Sequence, residues 1–198
     1  PSKGSTSFSE LKHELSSGME LNGKTIGIIG AGRIGRKVAE KSLLLGMKPI
    51  FYDPYVKKVR LSTGINHVQL TFLFETTSLD ELLASSDIVT LHVNYPKEQG
   101  PVIAAKELEK IKRGAILINT ARGYCVDEFA ILKALNKGIL GAYACDVYEG
   151  EPNPSPALLS HPKVIPTPHI GASTVEAQER IWQEIINILT RIEKAINQ

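Results

Sequence analysis

Thr25-Ile26-Gly27-Ile28-Ile29 runs directly into Gly30-Ala31-Gly32-Arg33-Ile34-Gly35. A short apolar run bounded by glycine reads as a buried strand, and residues 33–45, closed by Gly46, read as a helix. Glycines at these positions have separate purposes. The first permits a tight turn, the second lets backbone approach a pyrophosphate, and the third lets helix and strand pack closely. A helix N-terminus adds free N–H groups and a partial positive charge suited to phosphate. Taken alone, the same glycines would also serve a plain strand-to-helix turn.

Asp53 sharpens the reading. It ends a second apolar run, Pro49-Ile50-Phe51-Tyr52-Asp53, and stands 23 positions after Gly30, where a dinucleotide site places an acid. A carboxylate there accepts hydrogen bonds from both ribose hydroxyls and repels a 2′-phosphate, so the cofactor expected is NAD rather than NADP. As a residue before Pro54 it would otherwise be a turn former. Lys57, Lys58 and Arg60 follow, the densest basic patch in the chain. They are read as a solvated face, and they leave a minor NADP activity open.

Outward from this unit, strands and helices alternate. Phe8, Leu11, Leu15 and Met19 predict an amphipathic helix over 8–19. Further strands are expected at 68–74, 88–93, 115–119, 142–147 and 164–165. Helices are expected at 78–83, 106–110 and 127–136, with 54–80 the least regular stretch. Ser173-Thr174-Val175-Glu176 fits a capping box for a last helix whose Ile181, Ile185, Ile188, Ile192 and Ile196 form one apolar face, read as core packing. Short strands apolar on both faces imply a parallel sheet covered on both sides. The fold class expected is therefore α/β: a Rossmann-type doubly wound parallel sheet of about six or seven strands.

Composition narrows the function classes. The 198 residues are 42% hydrophobic and 22% charged, with a net charge of +2, a globular balance with no nucleic-acid partner implied. Two cysteines, Cys125 and Cys145, give no disulfide framework, and no His/Cys cluster has metal spacing, so no metal is expected. No apolar stretch approaches the roughly 18–20 residues of a membrane span. The first residues lack the apolar core of a signal peptide, and a cytoplasmic location is expected.

Ligands of such sheets bind at the carboxyl ends of the strands. Three reactive residues follow predicted strands: Arg122 after 115–119, Glu151 after 142–147, and His169 after 164–165. Oxidising an alcohol by hydride transfer requires a base for the hydroxyl proton, which histidine suits. A carboxylate such as Glu151 would orient the ring, and an arginine would hold a substrate carboxylate and polarise the carbonyl oxygen. Taken singly, His169 also reads as a loop histidine, Glu151 as a surface acid before Pro152, and Arg122 as a partner for a helix C-terminus.

With these stretches in view, the sequence resembles the D-2-hydroxyacid dehydrogenase family. The resemblance rests on Gly-Ala-Gly-Arg-Ile-Gly (30–35), Tyr-Asp-Pro (52–54), Ile-Asn-Thr-Ala-Arg-Gly (118–123) and Val-Asp-Glu (126–128). It continues through Asp-Val-Tyr-Glu-Gly-Glu-Pro (146–152) and Thr-Pro-His-Ile-Gly-Ala-Ser-Thr (167–174), in family order over roughly 20–190. It implies catalytic roles for Arg122, Glu151 and His169. Pyrophosphate contacts fall on Arg33 and Ile34 beside Gly30, Gly32 and Gly35, and the ribose acid falls on Asp53. Nicotinamide-side contacts fall on Thr120, Ala121, Asp146, Gly171 and Ala172, and an adenosine-side backbone contact falls on Val93. Within the family, 158–164 and 172–180 resemble the D-3-phosphoglycerate dehydrogenase branch, which implies oxidation of 3-phospho-D-glycerate to 3-phosphohydroxypyruvate, the first step of serine synthesis. His161 matches no catalytic position and is read as structural. Glycerate and lactate are other substrates the family admits.

Two departures stand out. Val93-Asn94-Tyr95-Pro96 replaces the proline usual after His92, and residues 60–76 are longer than usual, an extra strand or a partner surface. The resemblance also implies a second, substrate-binding lobe. Residues 1–21 would then be a connecting helix, 22–175 the NAD-binding domain and 176–198 a returning helix. This chain alone would bind NAD but turn over substrate poorly, and the expected assembly is a homodimer through this domain. The alternative is an NAD(H)-sensing corepressor-type binding module of the same fold.

Overall fold

The computed structural model describes residues 8–14, 16, 18–65, 68–94 and 96–196. Six strands form one parallel sheet: β1 (Thr25–Ile29), β2 (Lys48–Tyr52), β5 (Ile88–Leu91), β6 (Ala115–Asn119), β7 (Leu140–Cys145) and β8 (Val164–Pro166), in the order β2-β1-β5-β6-β7-β8. The chain steps outward from β1 to β2 and then returns to the other side of β1 with β5. The carboxyl end of β1, where the glycine turn lies, is therefore the topological switch point at which such sheets bind ligands.

Alternation along the strands builds two cores. Val89, Leu91 and Leu117 face one side, with Leu82 and Leu83 of α3 (Leu79–Ser85) and Ile131 and Leu135 of α5 (Glu128–Asn136). Ile26, Ile28 and Phe51 face the other, with Ala39 of α2 (Arg33–Leu44). Both faces are apolar, so the strands are continuous hydrophobic runs. Cover on the second face is uneven. Over β6 to β8 its residues Ile116, Ile118, Ala142 and Ala144 are half-buried, and Ile165 is 62% exposed.

The irregular stretch 54–80 resolves into an antiparallel hairpin. Beside the expected strand β4 (Val68–Glu75) lies a second, β3 (Lys58–Ile65), so of the two alternatives for the long stretch 60–76 the structure shows the extra strand. Lys57, Lys58 and Arg60 do lie on an exposed face, but Val59 and Leu61 alternate with them and are buried, packing with Phe72 and Phe74 on the α2 side of the sheet. Phe74 meets Phe51 with ring centroids 5.5 Å apart. Charges at every second position hid a period-2 pattern.

Three sequence expectations change at the ends of the chain. The first helix, α1, is described only over Phe8–Glu14 and residues 18–21 are not helical; Leu15 lies outside the described residues. The last helix, α7 (Val175–Ile196), is capped by Thr174, whose Oγ1 accepts from Ala177 N at 3.1 Å, rather than by Ser173. Its isoleucine stripe is not core: no residue of α7 is buried, because nothing among the described residues packs along it. No described helix is long and apolar enough to cross a membrane.

Candidate active site

Gly30 sits at φ +100°, a left-handed conformation that side chains resist, and a Cβ there would overlap the His92 carbonyl oxygen. A Cβ at Gly35 would overlap the Gly30 carbonyl oxygen, so the third glycine seats α2 on the turn. Gly32 is different: a Cβ there would meet nothing within 4 Å. Open space at that glycine, at the N-terminus of a helix with no side-chain cap, fits a ligand phosphate rather than a packing need.

Asp53 follows β2 directly. Its Oδ2 accepts from Ala31 N at 2.9 Å, and its Oδ1 accepts from Tyr55 N at 2.9 Å and Val56 N at 3.1 Å. The carboxylate is thereby fixed at the mouth of a cavity of about 580 Å³ that runs from Gly30 and Gly32 past Val93 to Leu79 and Val102. A second cavity, about 340 Å³, continues along the sheet edge between Arg33, Ile34, Thr120, Ala121 and Arg122. Tandem cavities meeting at Gly32 and Val93 suit an extended dinucleotide. His92 and Asn94 also line both, which the sequence reading did not anticipate. The His92 ring bonds Thr90 Oγ1 at 3.0 Å, and burial pushes its pKa down to about 4, so it is neutral near pH 7. Its place directly after β5 was the available signal.

Arg122 leaves β6 through a loop shaped by Asn119. This fully buried amide accepts from Ala121 N at 3.1 Å and donates to the Arg122 carbonyl at 2.9 Å. The Arg122 guanidinium donates to the Ala121 carbonyl at 2.7 Å, and among the described residues no helix C-terminus engages it.

Glu151 and His169 meet across the loops after β7 and β8. His169 Nδ1 lies 2.7 Å from Glu151 Oε2, with the two side chains 53% and 35% exposed. Glu151 Oε1 is held by Tyr148 N at 2.8 Å. The bond from His169, helped by that from Tyr148, holds the Glu151 carboxyl below the ordinary carboxylate range. His169 itself sits at φ +53°, the sole non-glycine residue with positive φ among those described. Such backbone costs on the order of 1–3 kcal/mol and persists only where neighbours impose it. Asp146 imposes it: its carboxylate accepts from Ile170 N at 2.9 Å, Gly171 N at 2.8 Å and Thr167 Oγ1 at 2.6 Å. Burial works to raise the Asp146 pKa, but these bonds outweigh it and lower the value.

Arg122, Glu151 and His169 thus leave the carboxyl ends of three adjacent strands, as expected. The Glu151–His169 pair does not line the cavity that holds Arg122; it stands farther along the same edge with Gly171 and Ala172. Asp146 and Gly171 hold each other, so in this structure they form a loop brace. His161 stays apart, its Nδ1 accepting from Lys163 N at 3.1 Å.

The family model for the D-isomer specific 2-hydroxyacid dehydrogenase NAD binding domain matches residues 4–171. The chain belongs to this family. The D-2-hydroxyacid dehydrogenase domain is 42% identical over 181 residues to D-3-phosphoglycerate dehydrogenase of Archaeoglobus fulgidus, covering 90% of this chain and 33% of the relative. To the enzyme of that name from Bacillus subtilis it is 38% identical, with the same coverage. Among solved structures, an NAD-dependent formate dehydrogenase from Staphylococcus aureus in complex with NAD aligns at TM-score 0.75 and 33% identity, covering 92% of this chain and 52% of that one. D-lactate dehydrogenase of Aquifex aeolicus, complexed with NAD and lactic acid, aligns at 0.70 and 34%, covering 89% and 55%. The chain therefore spans about a third of those curated relatives and about half of those solved chains.

Proposed function

We propose that this domain is the NAD-binding half of a dehydrogenase that transfers a hydride between a 2-hydroxy acid and NAD, with 3-phospho-D-glycerate as the substrate and serine synthesis as the pathway. The observation that carries the reading is the Glu151–His169 pair, held at 2.7 Å on the sheet edge that bears the glycine turn. Bound NAD would supply the hydride acceptor. With Nδ1–H donated to Glu151, His169 keeps Nε2 bare to take the substrate hydroxyl proton, and Glu151 stabilises the resulting imidazolium. Arg122, whose guanidinium has no carboxylate partner among the described residues, holds the substrate carboxylate.

Gly30, Gly32, Gly35, Arg33 and Ile34 take the pyrophosphate, and Asp53 takes the adenosine ribose. Val93 lies on the adenosine side, while Thr120, Ala121, Asp146, Gly171 and Ala172 frame the nicotinamide. The phosphoglycerate assignment draws on the curated relatives named above. Their names also favour the enzyme over an NAD(H)-sensing corepressor-type module. Residues 1–21 and 176–198 are assigned as the two crossings to a substrate lobe, which makes turnover by this chain alone poor. The exposed apolar face of α7 supports pairing into a homodimer. The scattered charge supports a cytoplasmic protein without a nucleic-acid partner.

The test is a panel of 2-hydroxy acids assayed with NAD and with NADP on the full-length parent. Preference for 3-phospho-D-glycerate with NAD is expected. No turnover of any 2-hydroxy acid would overturn the reading.

A further inference from the structure

A carboxylate at the start of α5, Glu128, lies outside the proposed catalytic set. Glu128 Oε1 accepts from the backbone N–H of Glu149 at 2.9 Å. The Tyr148–Glu149 peptide it holds lies between two loops of the proposed site. On one side, a Cβ at Gly123 would overlap the Tyr148 carbonyl and the Glu149 nitrogen, so the Arg122 loop packs backbone against backbone on that peptide. On the other side, Tyr148 N fixes Glu151 Oε1 at 2.8 Å, and Tyr148 Oη donates to the Thr167 carbonyl at 2.7 Å, two residues before His169. Tyr148 therefore ties the Arg122, Glu151 and His169 loops together through its own N–H, its ring hydroxyl and the peptide that follows it, and the N–H of that following peptide is secured by Glu128. Partial burial pushes the Glu128 carboxyl pKa up, a cost that a merely solvated acid at a helix N-terminus would not carry.

We propose that Glu128 is a positioning residue for the Glu151–His169 pair, acting through the Tyr148–Glu149 peptide and touching neither substrate nor cofactor. The proposal rests on the reading of Glu151 and His169 as a working pair. Losing the acceptor frees the peptide, which lets Glu151 swing and the imidazole lose its fixed tautomer. What matters is the hydrogen bond rather than the charge, so an amide in its place suffices.

Both can be followed in this chain by carboxyl ¹³C and imidazole ¹⁵N resonances, without turnover. In the wild type the Glu151 carboxyl titrates below the ordinary range and the neutral His169 ring carries its proton on Nδ1. Glu128→Ala is expected to move the Glu151 titration upward and to mix the His169 tautomers, while NAD affinity stays within about twofold. Glu128→Gln is expected to match the wild type in both signals. Wild-type signals in Glu128→Ala would overturn the proposal, and so would equal perturbation by Glu128→Gln, which would mark a charge effect. Glu151→Ala separates the underlying reading: if removing that acceptor leaves the His169 tautomer unchanged, the pair itself fails, whatever Glu128 does.

Discussion

At Asp146, a carboxylate only 7% exposed survives because three donors converge on it. Removing it leaves two backbone N–H groups without their acceptor and releases His169 from its left-handed backbone. Asp146→Ala should therefore cost about 2–3 kcal/mol in urea unfolding; a loss within about 0.5 kcal/mol would show that the loop holds itself. The glycines give a sharper contrast. Gly35→Ala must push a methyl into the Gly30 carbonyl and should lower stability by about 2 kcal/mol or more, as overpacking does. Gly32→Ala has room and should fold within about 0.5 kcal/mol of wild type, yet bind NAD at least tenfold more weakly. Equal stability of the two variants would contradict the packing described for this turn.

Glu151 brings pH dependence. Its folded-state pKa is depressed, so its contribution is present above the ordinary value of 4.5 and lost as pH falls through the depressed one. The stability gap between wild type and Glu151→Gln, measured by thermal unfolding, should persist at pH 6 and close well below pH 4.5. A gap independent of pH would place the effect in packing.

Among the elements, the hairpin of β3 and β4 and the helix α7 are opposites. Leu61 is buried against α2 and the sheet, so Leu61→Ala should cost about 2–5 kcal/mol. Ile185 and Ile192 of α7 are 39% and 50% exposed, and Ile192→Glu should leave the unfolding midpoint of the domain unchanged at dilutions where it is monomeric. A large loss from Ile192→Glu would mean that α7 is packed. These two elements are also where the sequence was hardest to read.

The six parallel strands were legible because each is a short apolar run next to a helix of different period. β3 was not, because Lys58, Arg60 and Ser62 mask the buried Val59 and Leu61. The α7 stripe was legible as amphipathic, but periodicity reports an apolar face and not what covers it. Of the candidate site, Asp53, Arg122, Glu151 and His169 were legible because reactive types follow strands. Asn119, Glu128 and Tyr148 were not, since they act on backbone groups that only the folded chain brings within reach.

Across the whole molecule, a strand-order reversal at β1 and β5, an anchored carboxylate after β2 and an uncapped helix N-terminus converge on one sheet edge. That edge is expected to bind NAD and to discriminate against a 2′-phosphate. Calorimetric titration of this chain with NAD and NADP, repeated on Asp53→Ala, tests it directly. Saturable NAD binding is expected, with NADP at least tenfold weaker and a narrowed difference in Asp53→Ala because Lys57 and Lys58 lie beside the same site. Absence of NAD binding, or equal affinity for both nucleotides in the wild type, would contradict it.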